Sequence, residues 1–146
     1  MANTTFRATT KWTGEGLHVV SKARGFEVSM DEPESLGGTN VGMNPVELLL
    51  SALGGCMAVL VPAFAAEHGL QIDDVSISLE GDLDPDGFLG RSDVRPGFQD
   101  IRVKLNVKSP EPRERIEELM ELVFERCPVK DTLCGVPVSE TYTLNG

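Results

Sequence analysis

Asn44-Pro45-Val46-Glu47-Leu48-Leu49-Leu50-Ser51-Ala52-Leu53-Gly54-Gly55-Cys56 decides the fold, because it opens a long apolar helix around which the rest of the chain must be arranged. Asn44 suits an N-cap, Pro45 suits the first helical position, and Glu47 stands three residues after the cap, as a capping box requires. From Leu48 to Ala66 the chain carries 19 consecutive uncharged residues, a length that also suits a membrane span. Acidic flanks at Glu47 and Glu67, the Gly54-Gly55 pair and Pro62 inside the run argue against a span. A helix that is apolar on every side is otherwise a central, buried one. Ser51, Gly54, Gly55 and Ala58 would let a second helix, of this chain or of a twin subunit, approach closely. Gly and Pro inside a helix cost about 1 and 3 kcal/mol relative to Ala, so packing or chemistry must offset them there, and Pro62 is expected to kink the helix.

Upstream of the helix, Thr4 to Trp12, Gly16 to Ala23 and Gly25 to Met30 alternate short apolar and polar residues, with Gly14 and Gly25 at the breaks. They read as a three-stranded meander. Asp31 to Asn44, rich in Pro, Gly, Glu and Asn, is a connecting loop long enough to line a site. Downstream, Gln71 to Leu83 and Phe98 to Val107 read as an antiparallel pair joined by the glycine-bearing loop Asp84 to Gly97. A second helix is expected over Glu111 to Arg126 with Ser109 as its cap; Ile116, Met120, Val123 and Cys127 form its inward stripe. A short turn or helix at Pro128 to Leu133 and a last strand, Pro137 to Leu144, complete an α+β chain without internal repeats.

The 146 residues and ordinary apolar content suit a single domain spanning 1–146. A net charge of −10 disfavours nucleic acid and anionic membranes as partners, since both are bound through Lys and Arg. Three cysteines without a secretory leader fit a reducing, cytoplasmic setting, where a disulfide is more often catalytic or sensing than structural.

Cys56 sits inside the long helix and Cys127 opens Cys127-Pro128-Val129-Lys130-Asp131-Thr132-Leu133, 71 residues later. That separation is no metal knuckle, and His18 and His68 lack the spacing to acids or thiols that zinc ligation expects. No metal is expected. Two thiols flanked by core residues suggest a pair brought together by the fold, able to cycle between dithiol and disulfide. The plainer reading is that both are small core residues, since free Cys is among the most buried residue types. Cys134, in a turn-like segment, reads as a bystander thiol.

The order of three strands, a Pro-x-Glu-Leu-Leu-Leu-x-Ala-Leu-Gly-Gly-Cys helix, two strands, a helix ending in Cys-Pro and a final strand resembles the OsmC/Ohr family of osmotically inducible and organic hydroperoxide resistance proteins. The resemblance covers nearly the whole chain. It implies an intertwined homodimer with strands of both subunits wrapped around two long central helices. It also implies a cysteine-based thiol peroxidase that reduces organic hydroperoxides. Cys56 would attack the peroxide and leave as a sulfenic acid, Cys127 would resolve it, and a dithiol of the lipoyl type would serve as co-substrate, with no bound cofactor. The alternative is a non-peroxidase dimer of the same fold that binds a small apolar ligand or senses oxidants.

The departures from the family pattern are specific. The family's hydroperoxidases carry a Glu ten residues before the reactive Cys, where this chain has Val46, and an Arg held by that Glu. Glu47 is nine residues before Cys56, about 180° around a straight helix, which makes it a cap. No Arg lies between Ala8 and Ala23 or between Gly25 and Cys56, where the two branches place theirs. Of Arg7, Arg24, Arg91 and Arg95, the expected substitute is Arg95, beside the Pro96-Gly97 turn.

Overall fold

The computed structural model describes residues 2–146, which form two compact units that meet in sequence between Leu49 and Leu50. The architecture is α+β, with two three-stranded sheets.

The first unit is a meander of β1 (Thr9–Trp12), β2 (Val19–Ala23) and β3 (Phe26–Met30), all antiparallel neighbours. The β2–β3 connection is the two-residue turn Arg24-Gly25, with φ of +52° and +86°. Two successive positive φ values give the turn whose twist matches that of the flanking strands. The loop that follows is organised by Asp31, which is buried. Its carboxylate accepts the Thr39 hydroxyl at 2.6 Å and the amides of Glu32, Thr39 and Val41 at 2.8, 3.1 and 3.4 Å. These donors, led by the Thr39 hydroxyl, hold the Asp31 carboxyl below the usual carboxylate range against the opposing effect of burial. The loop ends in the expected capping box: the Glu47 amide donates to Asn44 Oδ1 and the Asn44 amide to Glu47 Oε1, both at 2.9 Å.

From that cap α1 (Pro45–Glu67) runs unbroken through Pro62. By length and composition it could cross a membrane. Instead, Leu53, Met57, Val61 and Ala65 form a stripe packed into one hydrophobic core with the second sheet and the helix after it. Spacings of four residues keep that stripe on one side of the helix. Gly54 lies on this side too: a Cβ there would come within 2.7 Å of Leu79 Cδ1, so its hydrogen lets the helix settle onto the sheet. Gly55 faces open space.

The second sheet has the order β4 (Asp74–Leu83), β5 (Phe98–Lys108), β6 (Val138–Leu144). The β4–β5 pair is antiparallel, as expected from sequence, with a bulge at Asp82/Leu83. In β5, Ile101, Val103, Leu105 and Val107 alternate inward against the core. A four-residue helix, α2 (Pro85–Phe88), stands in the β4–β5 loop; Asp84 caps it by accepting the Asp86 amide at 2.9 Å.

The chain then crosses over through α3 (Arg113–Arg126) and α4 (Pro128–Thr132) and returns as β6, parallel to β5. A parallel return needs a crossover of this kind. The α3 stripe of Ile116, Met120 and Val123 is buried together with Leu119 and Cys127. Ser109 does not cap α3, which starts after Pro112 without a side-chain cap. Its hydroxyl instead donates to Gln71 O at 2.6 Å and accepts the Glu111 amide at 3.1 Å, because Ser109 is buried where β5 ends.

Candidate active site

Cys127 follows the last residue of α3 and precedes Pro128, which opens α4. Pro cannot extend α3, since it lacks an N–H and disfavours helical geometry in the residue before it. Cys127 is accordingly extended, with φ −70° and ψ 111°, and serves as the N-cap of α4. Its Sγ accepts the Lys130 amide at 3.4 Å, and the side chain is buried at the edge of the core. Cys56 reaches the same place from α1. It lies two residues past Gly54, is half-buried, and packs on the core that contains Cys127.

Cys56 is close enough to Cys127 to perturb its thiol directly. Burial pushes the Cys127 thiol up to about 11, and its contact with Cys56 adds to the rise, while the Lys130 and Val129 amides oppose it. Cys127 is therefore a neutral S–H at physiological pH. No guanidinium is among the groups that perturb it. None of the three cysteines is joined in a disulfide.

The other candidates fall elsewhere. Cys134 is exposed, in the turn after α4. Arg95 donates through Nη1 to Gly135 O at 2.9 Å, which ties the β4–β5 loop to the segment that follows α4. Arg24 lies at a hairpin tip with its guanidinium 5.3 Å from the Phe26 ring centroid. Glu47 is engaged in its cap. His18 contacts Ser29 Oγ at 3.2 Å and His68 contacts Phe64 O at 2.8 Å. Among the described residues no group of three or more His, Cys, Asp or Glu side chains gathers where a metal ion could sit.

The sequence reading passes over two residues beside the pair. Lys130 Nζ donates to Phe124 O at 3.3 Å and forms an ion pair with Glu140 Oε1. Glu140 stands between Val138 and Tyr142 on the side of β6 that packs against the core. A carboxylate at an inward-facing position of an alternating strand is a signal legible in sequence.

The family model for OsmC-like proteins matches residues 37–141, a stretch that contains both Cys56 and Cys127. The chain belongs to the OsmC-like family. Its OsmC-like sequence is 28% identical over 111 residues to a hydroperoxide reductase of Mycoplasma genitalium, covering 75% of this chain and 74% of the relative. It is 26% identical over 115 residues to a hydroperoxide reductase of Mycoplasma pneumoniae, covering 76% and 74%. The crystal structure of an OsmC-like protein from Mycoplasma pneumoniae superposes with a TM-score of 0.85 at 21% identity, over 98% of this chain and 99% of that one. The OsmC-like fold expected from the two cysteine segments is thereby shown.

Proposed function

We propose that this OsmC-like protein is a cytoplasmic thiol peroxidase that reduces organic hydroperoxides through a Cys56/Cys127 dithiol–disulfide cycle. The observation that carries the reading is the meeting of the two thiols, one half-exposed on α1 and the other buried at the start of α4. The names of the two mycoplasma relatives support the same chemistry. Cys56, as thiolate, attacks the outer oxygen of R–O–OH; the O–O bond breaks, the sulfur becomes a sulfenic acid, and the alkoxide takes a proton to leave as R–OH. The Cys127 sulfur then displaces hydroxide from the Cys56 sulfenic acid. The thiol proton leaves with that hydroxide as water, and the disulfide protects Cys56 from further oxidation. An external dithiol of the lipoyl class reduces the disulfide and is itself oxidised.

The working unit in this reading is a homodimer of 146-residue OsmC-like domains. Leu49, Ala52, Gly55, Val59, Ala63 and Ala66 of α1 are exposed in the single chain, although none carries charge. A second copy of α1 would cover them and wall the Cys56 site with apolar residues suited to an organic peroxide. Consumption of cumene hydroperoxide with reduced lipoamide tests the function. Wild type turns over, Cys56→Ser does not, and Cys127→Ser accumulates a sulfenic acid that a dimedone-type reagent traps. Absence of wild-type turnover refutes it.

One observation favours a second reading, a non-peroxidase dimer that binds a small apolar ligand or senses oxidants. Val46 stands where the family has its Glu, and Arg95, the expected substitute for the family's Arg, is engaged on Gly135 O. Under that reading Cys56 and Cys127 still oxidise to a disulfide, but stoichiometrically, without dithiol-driven turnover.

A further inference from the structure

Glu140 is a charge where the strand pattern calls for an apolar side chain. Its side chain is only 10% exposed. One carboxylate oxygen meets Lys130 Nζ, while Oε2 is buried with no hydrogen-bond partner. An ion pair taken out of water costs desolvation that its mutual attraction only partly offsets. Packing alone does not account for it here.

The register of the sheet shows what the pair is next to. Leu79, Val103 and Glu140 form one rung across β4, β5 and β6. At one end of the rung, Leu79 receives Gly54, two residues before Cys56. At the other end, Glu140 holds Lys130, three residues after Cys127. The side chain of Lys130 also joins the last turn of α3 through Phe124 O, and its amide donates to Cys127 Sγ. Lys130 thus links the end of α3, the sulfur of Cys127 and β6.

We propose that Lys130 and Glu140 are positioning residues whose ion pair fixes the first turn of α4, so that Cys127 stays against Cys56 and the two sulfurs join rapidly. The proposal rests on the dithiol–disulfide reading of the site, but not on hydroperoxide as the oxidant. Disulfide geometry gives it force: Cα atoms must lie about 4.4–6.8 Å apart with a defined torsion at the sulfurs, and α4 is a five-residue helix with little internal rigidity. When the pair is broken, α4 loosens. Cys127 then becomes more open to reagents from solvent and less ready to meet Cys56.

The test uses the full-length reduced protein in a Cys134→Ser background and diamide as oxidant. The diazene takes up both thiol hydrogens and the electron pair as the S–S bond forms. Acid quench and peptide mass mapping follow closure of Cys56–Cys127, and iodoacetamide modification of Cys127 is timed in a companion variant that also carries Cys56→Ser. Lys130→Met should slow closure about tenfold or more while speeding Cys127 alkylation by a comparable factor, a displacement of order 1 Å being enough. Glu140→Gln, which keeps the shape and one hydrogen bond, should slow closure less, and Lys130→Arg should restore it.

Wild-type closure in both Lys130→Met and Glu140→Gln overturns the proposal, and so does closure in Lys130→Arg as slow as in Lys130→Met. If Lys130→Met does not fold by circular dichroism, Glu140→Gln decides: slowed closure supports the proposal and wild-type closure overturns it. Failure of the wild-type protein to form the disulfide at all would instead sink the dithiol reading of the site.

Discussion

The two sheets of this molecule have the same number of strands and opposite relations to their apolar residues. In the β4–β5–β6 sheet, the inward side chains of β5 are nearly all buried beneath helices of their own unit. In the β1–β2–β3 sheet, Trp12, Val19, Val28, Phe26 and Met30 share one face by register. Only Met30 of these is buried; Phe26 is 68% and Trp12 58% exposed. The first sheet therefore carries an apolar face that the isolated chain leaves largely in water, whereas the second is complete in one chain. Two kinds of stability follow. One belongs to the single molecule, and the other, under the homodimer proposed above, would come from a second molecule.

The comparison is most strongly tested at Leu105, which is fully buried in β5. Leu105→Ala should cost about 2–5 kcal/mol, read from urea unfolding, with the same loss at low and high protein concentration. Phe26→Ser should behave differently. At concentrations where the chain is monomeric it should change stability by no more than about 0.5 kcal/mol. Where the dimer forms it should cost about 1.5–3 kcal/mol, the value of burying such a side chain. Sedimentation that shows Phe26→Ser assembling as wild type does would break the contrast between the sheets.

The adjacent glycines of α1 sharpen it at finer scale. Gly54→Ala places a methyl against Leu79 and should destabilise by about 1–3 kcal/mol through overpacking, in monomer and dimer alike. Gly55→Ala meets nothing within the chain. It should raise the monomer's stability by about 1 kcal/mol through helix propensity while weakening self-association. A Gly55→Ala protein stabilised equally at every concentration would mean that no second helix packs on this face.

The smallest effect is expected at Asp31. Its carboxyl is held low by the Thr39 hydroxyl and three amides, so it favours the folded state above its unfolded pKa of about 3.9. That contribution fades as pH falls from there through the lower folded value. Asp31→Asn should therefore be less stable than wild type at neutral pH and converge on it in acid. Parallel stability curves from pH 6 to 2 would count against this role.

What is legible in the sequence follows physical range. The capping box, the α3 stripe, the antiparallel β4–β5 pair and the two cysteine segments all rest on neighbours or on short periodicities, and the structure has them. The meander strands are shorter than their sequence pattern suggests, since Thr4 to Ala8 and Gly16 to His18 have no partners in the ladder. Ser109 has the residue type and place of a helix cap and instead closes a junction between Gln71 and Glu111, a contact that no local pattern specifies. The parallel pairing of β6 and the meeting of Lys130 with Glu140 depend on where the chain arrives after a crossover, and periodicity carries no such information. Arg95 illustrates the same limit: its turn is visible in the sequence, but the Gly135 carbonyl it binds lies 40 residues away.

The parallel placement of β6 also orders events during synthesis. The β4–β5 hairpin needs only residues close in sequence and can form while the ribosome is still extending the chain. The β5–β6 ladder cannot, because β6 (Val138–Leu144) reaches β5 only after the α3–α4 crossover has been made. Nonlocal parallel pairing is slow, since the loop must close before its contacts stabilise it. Until that strand docks, Glu140 has not reached Lys130. The first turn of α4, which carries Lys130, should thus be among the last parts of this fold to become fixed.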